Sequence, residues 1–263
     1  MNNKKQQPES IALFTDFGAD GPYLGQIKAV LLAAGVTQPI IDLLSNAPSF
    51  NPKAGAYLLA SLAEQFPERT LFLCVVDPGV GGDRLPLVVR TPRHWFVGPD
   101  NGLFSQVVNR FPECDVKSIE WRPTRLSTTF HGRDLFAPAA AMLCRNETVA
   151  GKAMAGSEVV GSDWPEELLE VVYIDHFGNC MTGIKAATLA TDQMLELNGR
   201  RIGMGRTFGA MPPDTPFWYE NSIGLVEIAV NQGRACERLD LGIGTPVAVW
   251  HRETALRTEQ SRD

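Results

Sequence analysis

Between Ile11 and Cys144 the chain alternates two hydrophobic periods, and no other feature restricts its fold as much. Continuous apolar runs of strand length, "IALFT", "PIIDLL", "TLFLCVV", "LPLVVRT" and "HWFVGP", are separated by stretches with helical spacing. In "PYLGQIKAVLLAAG" the helical set is Tyr23, Leu24, Ile27, Val30, Leu31 and Ala34, and Gly35 stops it. A second helical pattern is "PKAGAYLLASLAEQF", and helices are also expected over residues 103–110 and about 134–144. Strands that alternate with helices predict an α/β layered domain with a largely parallel sheet, because each helix returns the chain to the same sheet edge.

The grammar changes after Asn146. "NETVAGKAMAGSEVVGSDWP" is rich in small and polar residues without a long period, and reads as a linker. Beyond it, "LLEVVYID", "QMLELNGRRIG" with its hairpin-type Asn-Gly, "LVEIAV" and "PVAVW" are strand-like, with no helix of more than two turns between them. The expected organisation is an α/β domain over residues 10–160, then a smaller all-β, barrel-like domain over 166–252 and a polar, fraying tail from about Arg252. Composition is that of an ordinary globular protein, at 44% hydrophobic and 21% charged residues.

The net charge of -6 is spread along the chain and no basic cluster is interleaved with aromatics, which argues against nucleic acid as a partner. The five cysteines form no C-x-x-C pair and read as reduced thiols of a cytoplasmic protein. The run "IALF" is too short for a signal sequence, and nothing approaches the ~18 apolar residues of a membrane span, so no membrane association is expected.

Several chemistries lack their signatures. There is no G-x-x-x-x-G-K phosphate loop, no G-x-S-x-G elbow and no H-E-x-x-H helix, so neither a bound cofactor nor a metal is expected. The functional residues of an open α/β sheet gather at the carboxyl ends of its strands. Polar residues stand there in "TDFG", "SNAPSF" and "VVDPGVGGDR". An aspartate such as Asp16 is commonly only a helix cap, and Asp77-Pro78-Gly79 is ordinary turn chemistry. "STTFHGRDLFAPAAAML" places His131 just before a helix start, where the dipole favours neutral imidazole, or where it is a buried structural histidine beside an Arg133–Asp134 ion pair. In "YIDHFGNC" Asp175, Phe177 and Asn179 alternate, so on an extended strand they would share one face, suited to an amine, a flat base and its polar edge.

In order and at compatible spacing, "TDFG…PYLGQIKAV", "VVDPGVGGDR", "GPDNGL", "TFHGRDLFAPAAA", "YIDHFGN" and "NSIGLVEIAVNQGRA" resemble the S-adenosylmethionine hydroxide adenosyltransferases, relatives of the fluorinase and chlorinase. The resemblance implies hydrolysis of S-adenosylmethionine to adenosine and methionine without a cofactor, in a homotrimer with active sites between subunits. It implies that Asp77, Arg84 and His131 handle the nucleophilic water. Asp16 would take the ribose hydroxyls, Asn179 and the backbone near Ala235 the adenine edge, and Asp175 and Ser222 the amino acid end. Phe50, Phe177 and, more loosely, Phe208 would line the pocket.

The chain departs from many relatives in having Ser45 where they carry histidine. In the halogenases a tyrosine replaces His131, a halide-holding serine replaces Gly132, the acid at Asp77 is missing, and the fluorinase has an extra loop. These differences favour hydrolysis over 5′-halogenation. A module that binds S-adenosylmethionine or adenosine without turnover is the third reading.

Overall fold

The structure is a computed structural model and describes residues 7–250. The expected fraying tail lies outside the described residues, as does the expected domain end at 252. The chain divides after Glu166 into two compact units.

The first unit runs β1 (Ser10–Thr15), α1 (Tyr23–Ala33), β2 (Ile40–Leu44), α2 (Pro52–Glu64), β3 (Thr70–Val75), β4 (Pro86–Arg90), β5 (Trp95–Pro99), α3 (Ser105–Arg110), β6 (Asp115–Ile119), α4 (Ala137–Cys144) and β7 (Gly151–Met154). Its sheet has the order β2-β1-β3-β5-β4-β6-β7. The β2-β1-β3-β5 half is parallel, and antiparallel pairing begins at β4. β3 is buried throughout, as expected of a central strand covered on both faces. Its alternation divides the core: Leu71, Leu73 and Val75 join Ile27 and Leu31 of α1, whereas Phe72 stacks on Phe96 at a centroid distance of 5.0 Å. Helix α2 begins where the sequence says it should, with Asn51 accepting from the Ala54 amide at 3.0 Å and Pro52 in the first turn.

Residues 146–165 are not a plain linker. They contain β7, which pairs antiparallel with β6 from Val116↔Met154 to Ile119↔Gly151. β7 is an exposed edge strand without apolar alternation, so only its backbone partner defines it. The helix expected from about residue 134 instead begins with a π-helical turn, Gly132–Phe136, that runs into α4.

The second unit contains β8 (Leu168–Ile174), β9 (Cys180–Lys185), β10 (Met194–Leu197), β11 (Arg200–Ile202), β12 (Pro216–Glu220), β13 (Leu225–Val230), the single-turn α5 (Ala235–Arg238) and β14 (Ala248–Trp250). They form two antiparallel sheets, β12-β13-β9-β8 and β11-β10-β14. Isolated bridges, Met204↔Trp218 and Glu170↔Pro246, connect the sheets at both edges, so the strands close into a ring around Leu195, Trp218 and Ile228. Asn198 and Gly199 both adopt positive φ, the backbone of a two-residue hairpin between β10 and β11.

Candidate active site

Asp16 directly follows β1, and Asp77 lies two residues past β3. The two strands are neighbours, with Thr15 paired to Val75. From β1 the chain moves through α1 to β2 on one side, then crosses through α2 to β3 on the other, which makes the gap between β1 and β3 the switch point of the sheet. Ligands of open α/β sheets bind at that place.

The "DPGVGGDR" loop turns Arg84 back onto Asp77. Arg84 Nε lies 3.1 and 3.0 Å from the two carboxylate oxygens of Asp77, and Nη2 lies 2.5 Å from Oδ2. Their side chains are 11% and 3% exposed, so this is a largely buried, bidentate pair. Nη2 also lies 2.8 Å from His131 Nδ1. A guanidinium only donates, so Nδ1 must accept and the ring proton resides on Nε2. Burial, reinforced by Arg84, holds His131 below the ordinary histidine range, which agrees with a neutral ring. The Phe136 ring lies 5.5 Å from the guanidinium carbon.

Gly81 makes the approach of the two segments possible. Its φ is +83°, and a Cβ there would stand 2.4 Å from the Thr128 carbonyl oxygen. The "DPGVGGDR" loop therefore packs directly on the segment that ends in His131. Asp134 steadies that segment by accepting from the Ser127 amide at 2.9 Å while paired to Arg133 at 2.6 Å.

Asp16, Asp77 and His131 line one cavity of about 370 Å³. Phe17, Tyr23 and Phe130 form its aromatic wall, with ring centroids 5.6, 5.8 and 5.3 Å apart. Burial raises the Asp16 carboxyl above the usual range, opposed by a bond from the Phe50 amide, 3.2 Å from Oδ2, with Asp77 adding a further push upward. Phe50 has a φ of 59° and is 79% exposed at the cavity mouth. Ser45 contributes its carbonyl to the Gly18 amide at 2.7 Å and so ties "SNAP" to "TDFG".

In the second unit Asp175, Phe177, Asn179, Phe208 and Ser222 line a pocket of about 870 Å³. The expected arrangement on a strand face is overturned. Residues 175–179 are the tight connection between β8 and β9. Gly178, at φ +84°, reverses the chain, and Asp175 accepts from the Asn179 amide at 2.8 Å and from its Nδ2 at 3.1 Å. These bonds replace the extended backbone that alternation implied and leave Phe177 70% exposed. Ala235 is buried at the start of α5, beside Arg234 of the pocket lining, and the next amide, Cys236, bonds the Gly178 carbonyl at 2.9 Å.

Sequence reading missed the aromatic wall and also Glu227 and Tyr219, which line the second pocket beside Asn221. Glu227 is 3% exposed. It accepts from Tyr219 Oη at 2.5 Å and from Asn221 Nδ2 at 2.9 Å. Burial raises its carboxyl, the two bonds oppose this, and Asp175 pushes it up further. The available signal was one acid inside "LVEIAV", a run otherwise wholly apolar.

A largely buried Asp–Arg–His set at the switch point of an α/β sheet, followed by a β-ring unit with a polar and aromatic pocket, defines a two-domain protein with an enzyme-type centre. Residues 11–152 match the SAM hydroxide adenosyltransferase N-terminal domain, and residues 169–248 match the C-terminal domain of the same family. The chain belongs to the SAM hydroxide adenosyltransferase family. It is 36% identical over 256 residues to the (R)-S-adenosyl-L-methionine hydrolase of Thermus thermophilus, covering 90% of this chain and 98% of that protein. A hydrolase of the same name from Salinispora arenicola is 31% identical, with 91% and 97% covered. Among solved structures, an uncharacterized conserved protein from Thermotoga maritima superposes with a TM-score of 0.81 at 30% identity, covering 92% of this chain and all (100%) of that one. Among the described residues no helix is long and apolar enough to cross a membrane.

Proposed function

We propose that this protein hydrolyses S-adenosyl-L-methionine to adenosine and L-methionine, with Asp77, Arg84 and His131 as the groups that prepare the water. The observation that carries the assignment is the shared Arg84 Nη2, bonded at once to Asp77 and to His131. The sulfonium leaves as a neutral thioether, so the leaving group needs no acid, and no metal or cofactor is proposed. The demand falls on the nucleophile, which must be aimed and relieved of a proton. Neutral His131, with its proton on Nε2, donates to the water oxygen and fixes its direction. Asp77, an acceptor only, takes the proton. The water oxygen bonds C5′ of the ribose, the C5′–S bond breaks with its electron pair going to sulfur, and the proton leaves through Asp77. Arg84 stays charged throughout, holding both partners in place.

The first unit, in this reading, supplies the water and, through Asp16, the ribose contacts. The second supplies Asn179 and the backbone near Ala235 for adenine, and Asp175 and Ser222 for the amino acid end. Phe50, Phe177 and Phe208 pack on the nucleoside and methionine. We further propose a cytoplasmic homotrimer in which neighbouring subunits complete each site; the exposure of Phe50 and Phe177, 79% and 70%, supports it.

The test is product chromatography after incubation with S-adenosylmethionine in ¹⁸O-labelled water, with EDTA and with chloride or fluoride in separate arms. Adenosine labelled at the 5′ oxygen, formed equally in EDTA and lost in Asp77→Ala, is expected. A 5′-halo-adenosine would overturn the hydrolytic reading, and tight binding without turnover would reduce the protein to a binding module. Light scattering on the eluted protein tests the trimer, which a fully active monomer would exclude.

A further inference from the structure

Tyr219 and Glu227 face each other directly across the β12–β13 ladder, and the tyrosine hydroxyl closes on Glu227 Oε1 at 2.5 Å. The other oxygen, Oε2, receives Asn221 Nδ2. Asn221 in turn organises the β12–β13 connection, its Oδ1 accepting from the amides of Ile223 and Leu225, both at 3.0 Å. Ser222 sits exposed in that connection. On the other side the Tyr219 ring packs edge-on against Phe208, with centroids 5.4 Å apart. Both donors to Glu227 are neutral, and the groups that act on its carboxyl, Tyr219, Asn221, Asn179 and Asp175, include no cation. A buried acid without a counter-cation is costly, and an apolar residue on this strand would serve stability better. Here the acid stands at the wall of a ligand-sized pocket, and both of its oxygens hold residues that carry pocket-lining groups.

We propose that Glu227 is a positioning residue for substrate capture, clamping the two walls of the second pocket so that Ser222 and Phe208 are already placed when S-adenosylmethionine enters. The inference rests on the reading that this pocket binds the substrate. It concerns binding alone, since Asp77, Arg84 and His131 belong to the other unit.

The polarity of the Glu227–Asn221 bond supplies the test. In Glu227→Gln only one acceptor serves two donors: if the amide nitrogen faces Asn221 it meets Nδ2, which also donates and cannot turn over because Asn221 Oδ1 holds two backbone amides, and if it faces Tyr219 the hydroxyl proton loses its acceptor. KM for S-adenosylmethionine is expected to rise about tenfold, with kcat within about twofold of wild type. The double variant Asn221→Asp/Glu227→Gln reverses donor and acceptor and restores the bond, returning KM to within about threefold of wild type. Tyr219→Phe removes one hydroxyl only and keeps the question answerable should Glu227→Gln fail to fold; its KM is expected to rise severalfold.

An unchanged KM in both Glu227→Gln and Tyr219→Phe overturns the proposal, as does a double variant no better than Glu227→Gln. Phe177→Ala separates the two levels. A raised KM there with none in Glu227→Gln refutes the role of Glu227 alone, whereas no change in Phe177→Ala refutes the pocket assignment itself.

Discussion

Arg84→Lys keeps the positive charge beside Asp77 and removes only the fork. In the native protein three guanidinium contacts reach the two Asp77 oxygens and one nitrogen is shared with His131 Nδ1. A lysine ammonium can satisfy one Asp77 oxygen, but it lacks the planar geometry that serves both oxygens and the imidazole together. A hydrogen bond to a charged group contributes about 1.5–3 kcal/mol, and losing the His131 bond also frees that ring to choose the wrong tautomer. A transition-state cost of about 2–3 kcal/mol corresponds to a fall of roughly 30- to 150-fold in the rate of the chemical step. Arg84 lies behind Asp77, outside the cavity lining, so KM should stay within about twofold of wild type. The assay is single-turnover formation of adenosine with enzyme in excess, which keeps product release from masking the step. A rate within threefold of wild type would refute the shared-nitrogen argument, and so would a loss confined to KM.

Other perturbations test neighbouring parts of the structure. Gly81→Ala puts a Cβ against the Thr128 carbonyl at a φ that disfavours side chains, so stability should fall by about 1–3 kcal/mol and kcat by at least about tenfold, read by denaturant melts and turnover. Asn51→Ala removes the α2 cap and should cost about 1 kcal/mol of stability while leaving turnover unchanged. His94, 2% exposed, has its pKa lowered from 6.5 to about 4 by burial and then by Arg93. The unfolded chain therefore takes up this proton first as pH falls: the stability His94 contributes is intact above pH 6.5, declines between 6.5 and about 4, and is down by about 2 kcal/mol at pH 5. His94→Leu should flatten that part of the pH–stability curve, and an equally steep curve in the variant would exclude the assignment.

The parts of this fold that announce themselves in sequence are those whose burial is uniform. β1, β3 and the buried faces of α1 and α2 follow from local periodicity, because each packs on both sides or along one stripe. β7 does not, since "GKAM" has no apolar face and becomes a strand only by pairing with β6. The same contrast runs through the site. The seven-residue spacing of Asp77 and Arg84 is visible as a motif, but that it becomes a bidentate pair depends on a loop held against Thr128. Alternation misplaced Asp175, Phe177 and Asn179 because a turn glycine and two bonds to one carboxylate outweigh the extended period. Glu227 stayed hidden because its partner, Tyr219, is adjacent only across the ladder.

The guanidinium nitrogen common to Asp77 and His131 also bears on heredity. Two residues that depend on one donor do not drift separately: a change at either leaves Arg84 half-employed and alters what the other can tolerate. Their mutational effects should therefore be strongly epistatic, with the second loss costing far less than the first. Lineages descending from such a protein would keep the trio whole or discard it together, and a new nucleophile would arise by replacing the set, not by editing one member.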